Sequence, residues 1–577
     1  MKTVVKILFS LLLFLTVLKA SAQHFEWAST SSNLYSGFKV AVVDQSENII
    51  VAGEAALPNF VVGDSWLHSS NGDSIKVNVF ENPLLIVSYN PSGHINWMRR
   101  VIGGRYPAKV HGIVRGSDNK IYVLGSSSES AFFPELKQKI GYHHCFIYCL
   151  KTDGTPLWIK EDTSGIITRP TSFCITPDEN FLIAGHMEHD KIVGNIKLSA
   201  GVGGANYLLC MDKDMKPLWG QNVQYKSKSC CILYDAKADV TPAGDIYMAG
   251  EFEIGGVFSN GGSYDAPVLE KETKSSQPYE MYLAAYTSSG KLKWVKTSGG
   301  ESRMNALKVT DNEVVIGGYI QNNGTFFDEK IDTTQKKKML LACFSKGGTL
   351  KWAKTSKAEM VNAIGIDQED NIYASVSSKQ NMAPLILETD TIKKSYMSLL
   401  IASFSSEGKY RWVKTSSIPM SGENPVISFD HCGNLYISGE MFYTLKSQVS
   451  WFDAAFVKGN GYGSAPFVAK LKNTMPFSSG KEGVCVICQK PWLLQNAPNP
   501  FREYTEFVYT TSNDDPSVSL EIYDLGGKLI ATLFNNRSLP KGSGQYTYQA
   551  AALPSGVYIA VLRGLTETAT TRIVVGN

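Results

Sequence analysis

Beyond its first two dozen residues, the chain has no apolar run approaching the roughly 18 residues that a membrane-spanning helix needs. A mature chain without a transmembrane segment is therefore expected. Charge of one sign is lacking too. Lys and Arg number 56 against 53 Asp and Glu, a net charge of +3. A nucleic-acid binder carries a basic face, so no nucleic-acid partner is expected. The densest basic run, "QKKKML" at 335, reads as an ordinary solvated stretch. No long segment carries a helical 3.6-residue apolar stripe. No G-x-S-x-G, H-E-x-x-H or G-x-x-x-x-G-K-[ST] motif occurs. No catalytic residue, cofactor site or metal site is assigned, and no cofactor is expected.

Cysteine is sparse, 10 in 577 residues. Cys149, Cys210 and Cys343 fall inside apolar runs, as small buried hydrophobes do. "CVIC" at 485–488 has C-x-x-C spacing without the second pair that a zinc site requires; a disulfide or no bond is the plainer reading. His143 with His144, and His186 with His189, are local clusters of the kind solvated loops carry. "DKD" at 212 and "DQED" at 367 resemble fragments of a calcium loop. They lack its Gly and distal Glu, and Asp is expected at hairpin turns for backbone reasons.

The N-terminus is distinctive. In "MKTVVKILFSLLLFLTVLKASAQ", Lys2 and Lys6 precede an apolar run from Ile7 to Leu18. Ala20 and Ala22 then occupy the two small-residue positions of a cleavage site. This predicts a secretory signal peptide, residues 1–22, cut between Ala22 and Gln23. Losing Lys2, Lys6 and Lys19 takes the mature charge from +3 to 0.

A phrase then recurs. "SGKLKWVKTSGG" at 289 returns as "GGTLKWAKTS" at 347 and "EGKYRWVKTS" at 407. Its tryptophans form a series: Trp27, Trp97, Trp158, Trp219, Trp294, Trp352 and Trp412. Their spacings are 70, 61, 61, 75, 58 and 60 residues. Between them lie strand pairs around Asp/Asn/Gly turns, such as "VAVVDQSENIIVAG" at 40. Apolar strands such as "YLAAYTSSGKLKW" then lead to the next Trp. Such periods mark repeat architectures. About four strands per unit match a propeller blade. The first unit lacks an apolar strand, and "APFVAKLKNT" at 465 is an apolar strand with no Trp after it. The two complement one another if a seven-bladed ring closes. Closure would leave no open sheet edge at the seam. A structural packing role is expected for the seven tryptophans.

The pattern resembles the bacterial β-propeller repeat of exported proteins over about residues 24–474. "KDMKP" before Trp219, where other units have a Gly turn, and "ASV" for "VAG" at 374 depart from it. After a linker, 475–490, the pattern changes. "NAPNPF" at 496, "IYDLGGK" at 522 and "LPSGVY" at 553 punctuate alternating strands that suit a small Ig-like β-sandwich. Residues 491–577 resemble the C-terminal sorting domain of type IX secretion substrates. The matching positions include Pro498, Asn499, Pro500, Phe501, Tyr523, Gly526, Gly527, Gly556 and Tyr558. "YQAA" stands where that family usually carries Trp-Asp/Asn-Gly.

The resemblance implies Sec export to the periplasm and passage through the type IX secretion machinery. Release, or attachment to surface lipopolysaccharide, would follow. The expected fold is all-β. The expected function is a non-enzymatic surface or secreted protein whose propeller binds a glycan or protein partner. The alternative is a polysaccharide hydrolase or lyase with carboxylates gathered at the ring centre. The long intervals around residues 59–73 and 258–279 mark loops where a ligand site would be sought first.

Overall fold

The computed structural model describes residues 25–472 and 493–576, less 33–34, 57–64, 70–73, 202, 225–235, 253–255, 260–267, 270–279, 299–300, 322–323, 328, 332–337, 357–359, 378–384, 388–389, 393–398, 416–424, 444–448, 453–454, 459–462, 512–514, 525–527, 541, 550–552 and 565–567. The predicted signal peptide with Ala22 and Gln23, the "CVIC" segment, and the sorting-motif glycines Gly526 and Gly527 lie outside the described residues. The chain divides into two units, one ending at Pro476 and one beginning at Phe477.

In the first unit the strands form antiparallel four-stranded meanders. Sheet 1 holds Tyr35–Val43, Ile49–Ala56, Pro83–Tyr89 and Ile95–Ile102. Sheet 2 holds Lys109–Arg115, Lys120–Ser126, Cys145–Lys151 and Pro156–Glu161. Sheet 3 holds Pro170–Ile175, Phe181–Met187, Ala205–Met211 and Pro217–Gln224. Sheets 4, 5 and 6 repeat the order, opening with Lys237–Val240, Ser302–Val309 and Met360–Ile366. Sheet 7 takes Val426–Phe429, Leu435–Tyr443 and Gly463–Leu471 from the C-terminal side. Its fourth strand is Phe25–Ser32, from the other end of the unit. Trp27 pairs with Lys470, and Ser29 with Val468. The first strand of each sheet packs against the first strands of the sheets before and after it, and that of sheet 7 packs against that of sheet 1. The result is a closed β-propeller.

This arrangement explains the sequence pattern. The second and third strands are covered on both faces by neighbouring sheets. Phe181–Met187, Ala205–Met211 and Glu280–Tyr286 are buried at every position. Continuous apolar runs are what such strands require. The first strands face the axis and are only half-buried along much of their length.

The tryptophans sit near the start of the outer strands and lock each sheet to the next. The Trp97 indole N–H donates to Thr152 O at 2.8 Å, Trp352 to Ser406 O at 2.8 Å, and Trp27 to Pro91 O at 3.0 Å. Trp294 donates to Lys346 O at 3.2 Å. Each acceptor lies in the last turn of the following sheet. The glycine of that turn has positive φ and lies under the ring. A Cβ on Gly154 would stand 2.5 Å from Trp97, and one on Gly290 would stand 2.4 Å from Trp219. Only glycine combines that backbone with that approach. Trp158 meets the exceptional turn "KDMKP". There Met215, at φ 60, stands where the glycine would be, and its side chain joins the same apolar cluster as Trp158. Trp412 packs on Tyr373 with ring centroids 5.7 Å apart.

One feature was not legible as strands. Loops between second and third strands carry extra hairpins, and three of these cross to pair with the outer strand of the preceding sheet. Ser65–Ser69 pairs with the outer strand Phe25–Ser32, Ala131–Phe133 with Ile95–Ile102, and Gly256–Phe258 with Pro217–Gln224. These hairpins cover outer edges that would otherwise be open to strand addition. They add to the expected four strands per unit without replacing any of them.

The second unit is a β-sandwich. Leu493–Ala497, Tyr504–Thr511 and Gly542–Gln549 form one sheet. Leu529–Leu539, Asp515–Asp524, Gly556–Arg563 and Thr568–Val575 form the other. Its core holds Phe507, Leu520, Ile522, Ala560 and Ile573.

Candidate functional site

The first strands surround an axial channel. They approach closely at glycines: a Cβ on Gly112 would lie 2.3 Å from Phe173, and one on Gly365 would lie 2.4 Å from Ile427. Cavities of about 650 and 610 Å³ occupy the two ends. The first is lined in part by Arg115, Asp239, Lys308, Asp367, Asp430 and His431. The second opens among Lys39, Lys237, Asn305, Asn362 and Glu440, on the side that carries the extra hairpins.

The channel carboxylates are largely engaged by their own scaffold. Asp367 Oδ1 accepts from the backbone N–H groups of Glu369 and Asn371, both at 2.9 Å, and Tyr373 O–H donates to Oδ2 at 2.8 Å. Asp430 likewise accepts from Cys432 N at 3.0 Å and Asn434 N at 2.8 Å. Away from the channel, in the last turn of sheet 3, Asp212 accepts in the same way from Asp214 N and Lys216 N at 2.9 Å. These are Asx turns that shape the hairpins. Asp239 accepts from Val309 N at 3.1 Å and lies 3.8 Å from the Lys308 ammonium. Attraction to Asp239 holds that ammonium above its ordinary pKa. The Cys174 thiol, beside Asp239, is pushed up to about 12, chiefly by burial. Cys149, Cys210 and Cys343 are buried free thiols.

Acidic turn residues also bridge sheets. Glu47, at φ 64, accepts from His431 N at 3.0 Å, and its carboxylate lies 2.8 Å from His431 Nδ1. Glu179, at φ 61, accepts from Ser117 N at 3.0 Å. A Gly-Glu step in the second strand does the same nearer the other face. Glu54 accepts from Val110 N at 3.3 Å, and Glu251 from Met304 N at 3.2 Å. Sequence reasoning missed these bridges, although the recurring "GE" at 53, 250 and 439 was a visible signal. Glu47, Asp430 and Cys432 place ligand atoms within 4.8 Å of one another. The Cys432 sulfur is held in a disulfide, so no thiolate is available there for a metal.

A third cavity, of about 320 Å³, lies between sheets 2 and 3 on the hairpin-bearing side. It gathers His111, His143, His186 and His189 with Lys109, Arg169, Lys191 and Glu188. Three of the four histidines flagged by the sequence, His143, His186 and His189, thus share this cavity. His144 turns instead to Glu161, its Nδ1 in hydrogen-bond contact with the Oε1 of that side chain. Arg169 is paired with Glu188 at 2.8 Å. His111 Nε2 lies 2.7 Å from Ser126 Oγ. Its pKa is lowered to about 4 by burial, then by the charges of Lys109 and Lys39. The proposed loop sites at 59–73 and 258–279 fall mostly outside the described residues.

In the sandwich, the Pro498–Phe501 motif fastens the last strand. Asn499 Nδ2 donates to Arg572 O at 2.9 Å, and Asn499 Oδ1 accepts from Val574 N at 2.8 Å. Phe501 N donates to Val574 O at 3.0 Å, and Gly576 N donates to Phe501 O at 2.8 Å. Thr505 Oγ1 donates to the Pro498 carbonyl at 2.8 Å. The Phe501 ring is buried in the core and Pro500 is exposed. Tyr558 O–H donates to Pro554 O at 2.9 Å, closing the "LPSGVY" turn around Gly556. Tyr523 O–H donates to Glu521 at 2.7 Å.

The two units define a β-propeller protein with a C-terminal Ig-like sandwich. Residues 497–576 match the family described as the secretion system C-terminal sorting domain. The chain is therefore a type IX secretion substrate, secreted or held at the outer-membrane surface. Among the described residues, no helix is long and apolar enough to cross a membrane. No match was found among curated proteins. Similar solved structures include the Dos1 propeller, at 8% identity and TM-score 0.35, covering 76% of this chain and 93% of that one. A protein of unknown function from Dyadobacter fermentans is similar at 9% identity and TM-score 0.35, covering 78% and 99%. An apocarotenoid oxygenase variant from Synechocystis is similar at 10% and 0.33, covering 78% and 91%. The propeller assignment rests on strand pairing rather than on these distant likenesses.

Proposed function

We propose that the protein is a non-enzymatic binding protein of the cell exterior, its propeller engaging a glycan through the hairpin-bearing face. Residues 1–22 act as the signal peptide, 23–474 as the binding ring, 475–490 as a linker and 491–577 as the sorting module. Attachment to surface lipopolysaccharide after sorting belongs to the same reading. The observation that carries it is the cavity between sheets 2 and 3, whose lining includes four histidines, two lysines and an arginine, set on a ring whose sheets are cross-locked by indoles and carboxylates. Function commonly sits in loops held by a rigid scaffold. The axial carboxylates Asp367 and Asp430 are occupied by their own turns, which favours binding over hydrolysis or lysis.

The test is a glycan panel read for both binding and product formation, using the mature full chain. Binding without cleavage supports the reading. Product release that disappears on substituting one or two axial carboxylates overturns it.

A further inference from the structure

We infer that the cavity between sheets 2 and 3 binds an oxyanion carried on a sugar, such as a uronate carboxylate or a sugar phosphate. This inference rests on the glycan-binding reading and names the ligand class. Its volume, about 320 Å³, is at the small end for ligand pockets, suited to one sugar unit rather than an extended chain.

Three cations converge there from three segments. Lys109 opens the first strand of sheet 2, Arg169 precedes the first strand of sheet 3, and Lys191 begins the extra hairpin strand Lys191–Val193. One anion, Glu188, is committed to Arg169. Among the described residues, Lys109 and Lys191 have no carboxylate partner. The local balance is +3 from the cations and −1 from Glu188, a net +2, on a chain whose mature charge is near zero.

Two further observations agree. The His111 imidazole is pushed down to about 4, first by burial and then by the charges of Lys109 and Lys39, so the positive charge here comes from the lysines and Arg169 rather than from that imidazole. Arg169 and His143 also hold positive φ, 39 and 57, although neither is glycine. Such backbone strain concentrates at ligand-binding loops. Arg169 is set in place by its carbonyl, which accepts from His186 N at 3.2 Å. A planar carboxylate or a phosphate would meet a guanidinium fork and two ammonium groups. His143 and His189 at the rim would offer ring nitrogens to sugar hydroxyls. Among the described residues the imidazoles do not converge as a metal-ligand set, so recognition of an anion accounts for the cations better than a metal site does.

The experiment is calorimetry on the mature full chain at low and high salt. The probes are a uronic-acid tetrasaccharide, a hexose phosphate, a neutral tetrasaccharide and inorganic phosphate alone. Acidic sugars should bind, more weakly at high salt, and the neutral one should bind at least about tenfold more weakly. The Lys109→Ala/Lys191→Ala pair should lose about tenfold or more for acidic sugars, with an unchanged melting temperature showing that the fold is intact. Lys109→Arg/Lys191→Arg should retain binding. The carboxylate and phosphate probes distinguish the two sources of the oxyanion. Equal binding of neutral and acidic sugars, or no effect of the Ala pair, overturns the inference while leaving glycan binding standing. Equal affinity for inorganic phosphate alone overturns the sugar component. If no glycan on a broad panel binds, the underlying reading fails with it.

Discussion

The indole of Trp97 donates to the carbonyl of Thr152, 55 positions along the chain and in the next sheet, at 2.8 Å. Gly154, two residues further on, lies flat beneath the same ring. Repeated around the propeller, this contact is why the Gly-x-x-x-Trp phrase recurs. The glycine receives one tryptophan, and four residues later the chain offers another to the following sheet.

Gly154→Ala should destabilise the propeller by about 2 kcal/mol or more, combining the cost of positive φ for a residue with a Cβ and the clash with Trp97. Trp97→Phe should cost less, about 1 kcal/mol, for the lost hydrogen bond. Denaturant midpoints of the two variants against the parent check the order. A Gly154→Ala variant as stable as the parent would contradict the packing account.

Acid should weaken the ring through His111. Its folded pKa is lowered to about 4, by burial first and neighbouring lysines second, from an ordinary 6.5. For a base with a lowered folded pKa, the unfolded chain takes up the proton first. The stabilising contribution is complete above 6.5 and is lost as pH falls from 6.5 towards 4. His111→Gln should flatten this part of the stability profile. Melting curves at pH 7.5, 6 and 4.5 would show parallel slopes for parent and variant if the assignment were wrong.

Cys174 should be inert in the folded state. With its thiol pushed up to about 12, almost no thiolate exists at neutral pH. Iodoacetamide at pH 7.5, followed by peptide mass spectrometry, should leave Cys174 unlabelled in native protein and label it fully after denaturation. Rapid native labelling would contradict a thiol held protonated beside Asp239.

Asn499→Ala should remove both side-chain hydrogen bonds to the final strand, a loss of about 1–3 kcal/mol within the sandwich. Because that sandwich is the sorting domain, the variant should accumulate in the periplasm instead of reaching the exterior. Cell fractionation beside a chain lacking residues 491–577 measures this. Full export of the variant would show that the clamp is dispensable for sorting.

The sequence by itself determined the strands, the repeat, and the complementary strands at its two ends. Each of these is written in local periodicity: apolar runs of roughly four to six residues, turn residues at fixed offsets, one Trp per unit. The same locality made the sorting motifs readable, since Pro498, Asn499, Pro500 and Phe501 are contiguous. Tertiary structure alone decided which residues meet across sheets. Lys109, Arg169 and Lys191 are far apart in sequence and become neighbours only when sheets 2 and 3 pack. The glutamates at 47, 54, 179 and 251 read as surface charges until the adjoining sheet presents an N–H to each. The crossing hairpins are short, and pair with outer strands of a preceding unit. Periodicity specifies which face of a strand is apolar. It carries no information about the partner's identity, because hydrophobic burial has no direction whereas hydrogen bonds and ion pairs depend on placement that only the closed ring supplies.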